Sequence, residues 1–234
     1  MIILGIESST DQVSCAVGGS EGVLASFSAA RSRRHAETLT PAIKFICEQA
    51  QVELSQVSVV AVGIGPGLFT GLRVGVATAK AMALALRVPM VGLSSLDLLA
   101  FPLRHANRLI VPLIDAKRGE VFTASYRHVP GGVQRMTDYI VSTPDDLASE
   151  LEADADECLL IGDGALRYAE VFEGNDRLEL GTVGTAFPSA SALVELAHPR
   201  AVREEFVSPA EVEPMYLRKA DARINWSERD RASA

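Results

Sequence analysis

The sequence predicts an α/β protein made of two related domains, and three observations carry that expectation. Ile2-Ile3-Leu4-Gly5-Ile6-Glu7 is an apolar strand ending in an acid, followed by a turn at Ser8 to Asp11 and a second strand at Val13 to Val17. Leu109 to Tyr126 repeats that arrangement: the strand ends at Asp115, Lys117-Arg118-Gly119 turns, and Glu120 to Tyr126 returns as a strand. After each hairpin, strand and helix patterns alternate. A length of 234 residues, 48% of them hydrophobic, permits one body or two small domains, and the repeated hairpin decides for two. The expected division is 1–105, 106–218 and a polar tail, 219–234, in which fraying is expected.

In order, the first half reads as a strand at Val23 to Ala29, a helix from His35 to Ala50, a strand at Val57 to Ile64, a helix from Thr70 to Leu86, a short strand and a helix. Ala36, Leu39, Ile43, Ile46, Cys47 and Ala50 recur at steps of three and four, giving the first helix one apolar stripe. Pro41 either kinks that helix or starts it. The second half continues with a strand near Val133, a helix after Thr143-Pro144, and a strand at Cys158 to Ile161. Helices at Ala165 to Phe172 and Ser189 to His198 complete it.

Net charge is −8, from 22 basic and 30 acidic residues, which argues against a free-standing nucleic-acid binder. The imbalance is uneven: 1–105 carries +1 (8 basic, 7 acidic) and 106–234 carries −9 (14 basic, 23 acidic). Seven carboxylates between Asp145 and Glu157 read as a solvated helix face. Arg31, Arg33, Arg34 and His35 precede a helix, where cations gain nothing from its dipole, so they are candidates for an anion or a partner. Three cysteines without a C-x-x-C pair suggest buried thiols in a reducing cytosol. Val74 to Leu86 is too short and too interrupted for a bilayer, and no basic leader precedes an apolar run, so a soluble cytoplasmic protein is expected.

The informative chemistry lies in the glycine turns. A buried-type strand runs into Gly65-Pro66-Gly67-Leu68-Phe69-Thr70-Gly71-Leu72-Arg73 and then a helix, an arrangement that can hold an anion on backbone N–H groups. It is neither a Walker loop nor a dinucleotide fingerprint, and the glycines equally serve tight turning and close packing, with Thr70 a candidate N-cap. Gly71, Gly75, Ala79 and Ala83 form a small-residue ridge that faces either the protein's own sheet or a partner. Gly162-Asp163-Gly164 is a second strand-to-helix turn. No nucleophile elbow or paired-histidine metal motif occurs; Glu7, Asp11, Asp115 and Glu120 at strand ends could bind Mg²⁺ or act as bases.

At these residues the sequence resembles the TsaB (YeaZ) family, the bacterial accessory subunit in the synthesis of N6-threonylcarbamoyladenosine in tRNA. The resemblance rests on Gly5-Ile6-Glu7-Ser8-Ser9-Thr10, the signature from Gly65 to Gly75, Ile114-Asp115-Ala116-Lys117-Arg118-Gly119-Glu120-Val121 and Pro214-Met215-Tyr216-Leu217-Arg218. It implies the fold shared by actin, sugar kinases and Hsp70, with mixed sheets flanked by helices and a cleft between two domains. It also implies pairing with the catalytic paralogue TsaD, with the ATPase TsaE joining, and modification of adenosine 37 in tRNAs reading ANN codons. ATP or ADP and Mg²⁺ are then expected in the complex rather than in this chain, and tRNA is met through the complex.

TsaD-like chains carry two metal-binding histidines four residues apart on the first helix. The matching segment here is His35-Ala36-Glu37-Thr38-Leu39, where leucine replaces the second, so no metal site and no catalytic residue are expected. Family pairing uses the first two helices, which places a partner surface at His35, Leu39, Ile43, Phe69, Leu72, Arg73, Gly75, Val76, Ala79 and Lys80. That surface would meet TsaD, or a second copy when TsaD is absent. The cleft candidates for nucleotide or anion are Glu7, Ser8, Ser9, Thr10, Gly65, Gly67, Asp115, Arg118, Gly162 and Gly164. The alternative is a small ATP-dependent phosphotransferase or ATPase acting in that cleft, weakened by Glu7 where kinase members carry Asp; a metallopeptidase lacks its paired histidines.

Overall fold

The computed structural model describes residues 1–30, 35–154 and 156–218. The candidate cations Arg31, Arg33 and Arg34, and the 219–234 tail with Trp226, lie outside the described residues.

The first sheet has the order β3-β2-β1-β4-β5: β1 (Ile2–Glu7), β2 (Gln12–Gly19), β3 (Gly22–Ala30), β4 (Val57–Gly65) and β5 (Met90–Ser94). The first three strands are antiparallel neighbours, and β4 and β5 join parallel to β1. The second sheet repeats this with β6 (Leu109–Lys117) as its centre. β7 (Glu120–Thr123) and β10 (Ile140–Ser142) extend it antiparallel, and β11 (Cys158–Ile161) and β12 (Leu178–Leu180) extend it parallel. The repeated hairpins are therefore the visible part of a repeated five-strand plan.

Side chains alternate between the faces of a strand, and β1 uses both. Leu4 and Ile6 point to a core shared with Leu39, Ile43 and Ile46 of α1 (His35–Ala50) and with Val76, Ala79 and Ala83 of α2 (Phe69–Leu86). Ile3 points to the opposite core, under α7 (Ala190–Val202). Helix α7 lies late in the chain yet packs on the first sheet, so the chain returns to the first lobe after building the second. In the second lobe Leu109, Val111 and Leu113 face α4 (Pro144–Asp154) and α6 (Ala169–Phe172), while Ile110 and Ile114 face α3 (Ser95–Ala100).

Several sequence readings are corrected. Glu120 to Tyr126 is two strands: Ser125 leaves the ladder, its N–H donating to Thr137 Oγ1, and β8 (Tyr126–Val129) meets β6 only at Ile110 and pairs along its length with β9 (Gly132–Arg135). Ala165 to Phe172 is split at Tyr168 (φ −110°) between α5 (Asp163–Arg167) and α6. The last helix runs four residues past His198, through Pro199. Helix α1 runs through Pro41. The N-cap of α2 is Leu68, not Thr70, and no side chain caps it. Helix α2 is long and apolar enough to cross a membrane by composition alone, but its apolar face is lodged in the first core.

After α7 an extended strap crosses the first lobe. Val207 pairs with Met90, Val212 enters the core, and Met215 N–H donates to Ile64 O (2.7 Å). Arg218 reaches the second lobe, donating to Glu120 and to Ala116 O.

Candidate functional site

The hairpin turn after β1, the N-termini of α1 and α2, and Lys117 of the second lobe surround a cleft of about 570 Å³. Each glycine of the long signature is there for close approach. A Cβ on Gly67 would lie 2.3 Å from Ser9 O, and one on Gly71 2.1 Å from Ser8 O. Ser8 Oγ donates to Gly71 O (2.8 Å), and Leu68 N–H donates to Ser9 O (2.6 Å). The signature thus lets the start of α2 seat directly on the Ser8–Ser9 backbone. Gly65 (φ +98°) packs against Leu72 and Met215 O. Gly162 (φ +100°) and Gly164 press on the Leu113 backbone, so neither glycine turn is an open anion cradle.

Glu7 is buried and turned inward. One carboxylate oxygen accepts the Ser9 N–H (2.6 Å), the other the Ser95 hydroxyl (3.0 Å), and Gly63 leaves the room that the carboxylate fills. Burial pushes the Glu7 carboxyl up, against the lowering pull of Ser9 and Ser95. Thr10 O receives the His35 ring through Nε2 (2.9 Å). A carbonyl only accepts, so Nε2 carries the proton and has no lone pair to offer a metal. Leu39, where a second histidine would stand, is in the core.

Asp115, 2% exposed, faces Asp11 across the lobes, and Lys117 joins them: its Nζ lies 3.0 Å from Asp115 Oδ2 and 3.2 Å from Asp11 Oδ2. Burial alone would lower the Lys117 ammonium, but its hydrogen bonds to Asp115 and Asp11 prevail and hold it above the usual lysine range. Arg167 Nε (3.4 Å) and the Tyr168 hydroxyl (3.3 Å) also meet Asp115. Asp163 Oδ1 accepts the Asp115 N–H (3.0 Å). Glu120 is taken by Arg218. Arg118 sits at the tip of the β6–β7 turn (φ +60°), away from the cleft lining.

At the cleft the facing acids share the Lys117 ammonium, and the Glu7 carboxylate is taken up by its own turn and Ser95. Among the described residues no three His, Cys, Asp or Glu side chains are grouped to hold a metal.

Seven of the ten residues expected on a partner surface are buried. Leu39, Ile43, Leu72, Val76 and Ala79 are buried, at no more than 4% exposure, and so are His35 and Gly75. The small-residue ridge faces the protein's own sheet, because Gly71 and Gly75 are where α2 meets Ser8. Phe69 is 40% exposed, with the Arg73 guanidinium 3.7 Å over its ring and the Tyr216 ring tilted against it at 5.3 Å. Lys80 is held by the strap carbonyls of Ala210 and Val212. What the two helices present outward includes Phe45 (50%) and Leu84 (66%), which the sequence reading missed because they lie off the buried stripe. Lys117 was read only as part of the turn after Asp115; its place in the site, like those of Asp163, Arg167 and Tyr168, is set by the fold that brings these groups to Asp115.

Two equivalent five-strand plans, hairpin first and parallel strands after, with a cleft between them, define the actin, sugar kinase and Hsp70 class of fold. A family profile described as "TsaD: tRNA N6-adenosine threonylcarbamoyltransferase" matches residues 22–226. The chain is 29% identical, over 97% of its length and 99% of the relative's, to the tRNA threonylcarbamoyladenosine biosynthesis protein TsaB of Bacillus subtilis. It is 30% identical to the TsaB protein of Haemophilus influenzae, over 83% of each chain. The crystal structure of YeaZ from Pseudomonas aeruginosa superposes with a TM-score of 0.80 at 29% identity, covering 92% of this chain and 99% of that one. The chain belongs to the TsaB (YeaZ) family.

Proposed function

We propose that this chain is a non-catalytic subunit in the formation of N6-threonylcarbamoyladenosine at adenosine 37 of tRNAs reading ANN codons, paired with TsaD and joined by TsaE. The names of its relatives support the process. The observation that carries the non-catalytic reading is the Lys117 ammonium lying between Asp11 and Asp115, where a working phosphotransferase needs free carboxylates for a cation. In this reading ATP or ADP and Mg²⁺ act elsewhere in the complex, in the cytoplasm. A net charge of −8 favours partners as the source of tRNA affinity.

The partner surface in this reading is the outer face of α1 and α2, with Phe45, Leu84 and the Phe69–Arg73 pair; it meets TsaD, or a second copy when TsaD is absent. Exposed large apolar side chains on neighbouring helices suit such pairing. The test is reconstitution of threonylcarbamoyl transfer to tRNA with TsaD and TsaE, with and without this chain, and with this chain alone. Product that requires both this chain and TsaD supports the reading. Undiminished transfer without this chain, or product from this chain alone, overturns it.

A further inference from the structure

A second cavity, of about 320 Å³, lies between the lobes and shares no lining residue with the cleft. Its lining comes from β5, α3 and α7 of one side and from the β8–β9 hairpin and Tyr139 of the other. Asp97 supplies a carboxylate. The hydroxyls of Tyr126 (2.7 Å) and Tyr139 (2.9 Å) both donate to its Oδ1, leaving Oδ2 without a hydrogen bond among the described residues. Burial first, and the Asp97 charge next, push both phenols up, so they remain donors and keep that carboxylate oriented. Leu93, Leu196 and Val133 make apolar wall.

Two guanidiniums complete it, Arg135 and Arg200. Arg135 is stacked 3.9 Å over the Tyr139 ring, which fixes its plane. Among the described residues neither is in an ion pair, as Arg73, Arg87 and Arg177 also are not, and the Arg200 charge adds to the effect of Arg203 in lowering the Glu205 carboxyl. In a chain of net charge −8, two unpaired arginines lining one concavity form a ready anion site. A bare anion, however, would also meet the Asp97 carboxylate. A ligand satisfying all three charges needs a carboxylate for the arginines and an adjacent N–H donor for Asp97 Oδ2, with a small apolar part for the leucines.

We propose that this cavity binds a small carboxylate with a neighbouring N–H donor, that is, an α-amino acid or an N-acylated amino acid. The cavity is separate from the cleft, but the choice of threonine as the amino acid rests on the process proposed above; absence of binding here leaves reconstituted transfer, and so the subunit role, untouched.

The test uses the full chain and calorimetric titration with four probes: L-threonine, N-carbamoyl-L-threonine, succinate and inorganic phosphate. Saturable binding of either threonine probe, tighter than succinate and phosphate, is expected; tighter L-threonine identifies a free amino acid and tighter N-carbamoyl-L-threonine an acylated one. Arg135→Met, at an exposed position, and Arg200→Met, at a partly exposed one, are compatible with folding and should each weaken binding about tenfold or more. Asp97→Asn should weaken L-threonine more than succinate. No saturable binding of either threonine probe, equal or tighter binding of phosphate or succinate, or binding unmoved by both arginine variants in natively folded protein would overturn the proposal.

Discussion

Asp163→Asn isolates the electrostatics of the inter-lobe network. Burial first, with the Asp115 and Asp11 charges adding, pushes the Asp163 carboxyl up to about 6 from an ordinary 3.8, against the pull of the Asp115 N–H and Lys117. A folded-state value above the unfolded one means the folded protein holds this proton more tightly. The stability it contributes is complete below about pH 3.8 and is lost as pH rises through about 6. The interval from 3.8 to about 6, at ~1.36 kcal/mol per pH unit, bounds the effect at ~3 kcal/mol; solvent at this partly exposed side chain reduces it to ~1–2 kcal/mol. Asparagine keeps an oxygen for the Asp115 N–H and cannot ionise. The variant and the parent should therefore melt together near pH 4, and the variant should be more stable by ~1–2 kcal/mol at pH 7.5, a rise of ~2–8 °C in Tm. Thermal melts of both proteins at four pH values check this, since titrations remote from the Asp163 network cancel in the difference. A variant less stable at pH 7.5, or a difference independent of pH, refutes the reasoning.

Other substitutions test the packing and the surface. Gly71→Ala gains helix propensity of ~1 kcal/mol on an isolated helix, yet here its Cβ would lie 2.1 Å from Ser8 O; a net loss of ~1–2 kcal/mol is expected in urea melts. Val76→Asp buries an unpaired charge in the first core and should unfold the protein by circular dichroism, whereas Leu84→Asp, 66% exposed, should melt as the parent does and fail to co-elute with TsaD. Lys117→Met strips Asp115 of its nearest cation, with Arg167 and Tyr168 remaining; a loss of ~2 kcal/mol at pH 7 is expected by chemical denaturation.

Much of the fold was legible because the signals were local. The apolar alternation of β1 and β6, the stripe of α1, and the glycine turns each reflect one segment's burial. The partner surface was not, because a stripe buried against the protein's own sheet and a stripe offered to another chain have the same period; only the Ser8 contacts at Gly71 and Gly75 tell them apart. The breaks at Ser125 and Tyr168 answer to distant partners, Thr137 and Asp115, that no local pattern announces. The strap from Val207 to Arg218 has no periodicity at all, and its place is set by pairing with Met90, Ile64 and Glu120.

The duplicated plan makes Glu7 and Asp115 equivalents: Glu7 is the last residue of β1, Asp115 lies two residues before the end of β6, and each is buried. Each also accepts the backbone N–H two residues on, Ser9 for Glu7 and Lys117 for Asp115, so both acids fix the backbone where it turns out of the regular ladder. They differ in how the remaining charge is met, by the Ser95 hydroxyl in one lobe and by cations in the other. An acid that closes a turn needs an acceptor oxygen, not a charge. Glu7→Gln keeps an oxygen for Ser9 N–H and offers its amide N–H to Ser95 Oγ, so it should fold normally, with Tm unchanged within ~2 °C, and support full tRNA modification in the reconstituted complex. A natively folded Glu7→Gln that abolished modification would give this carboxylate a chemical role in the cleft and return the chain to the enzymes.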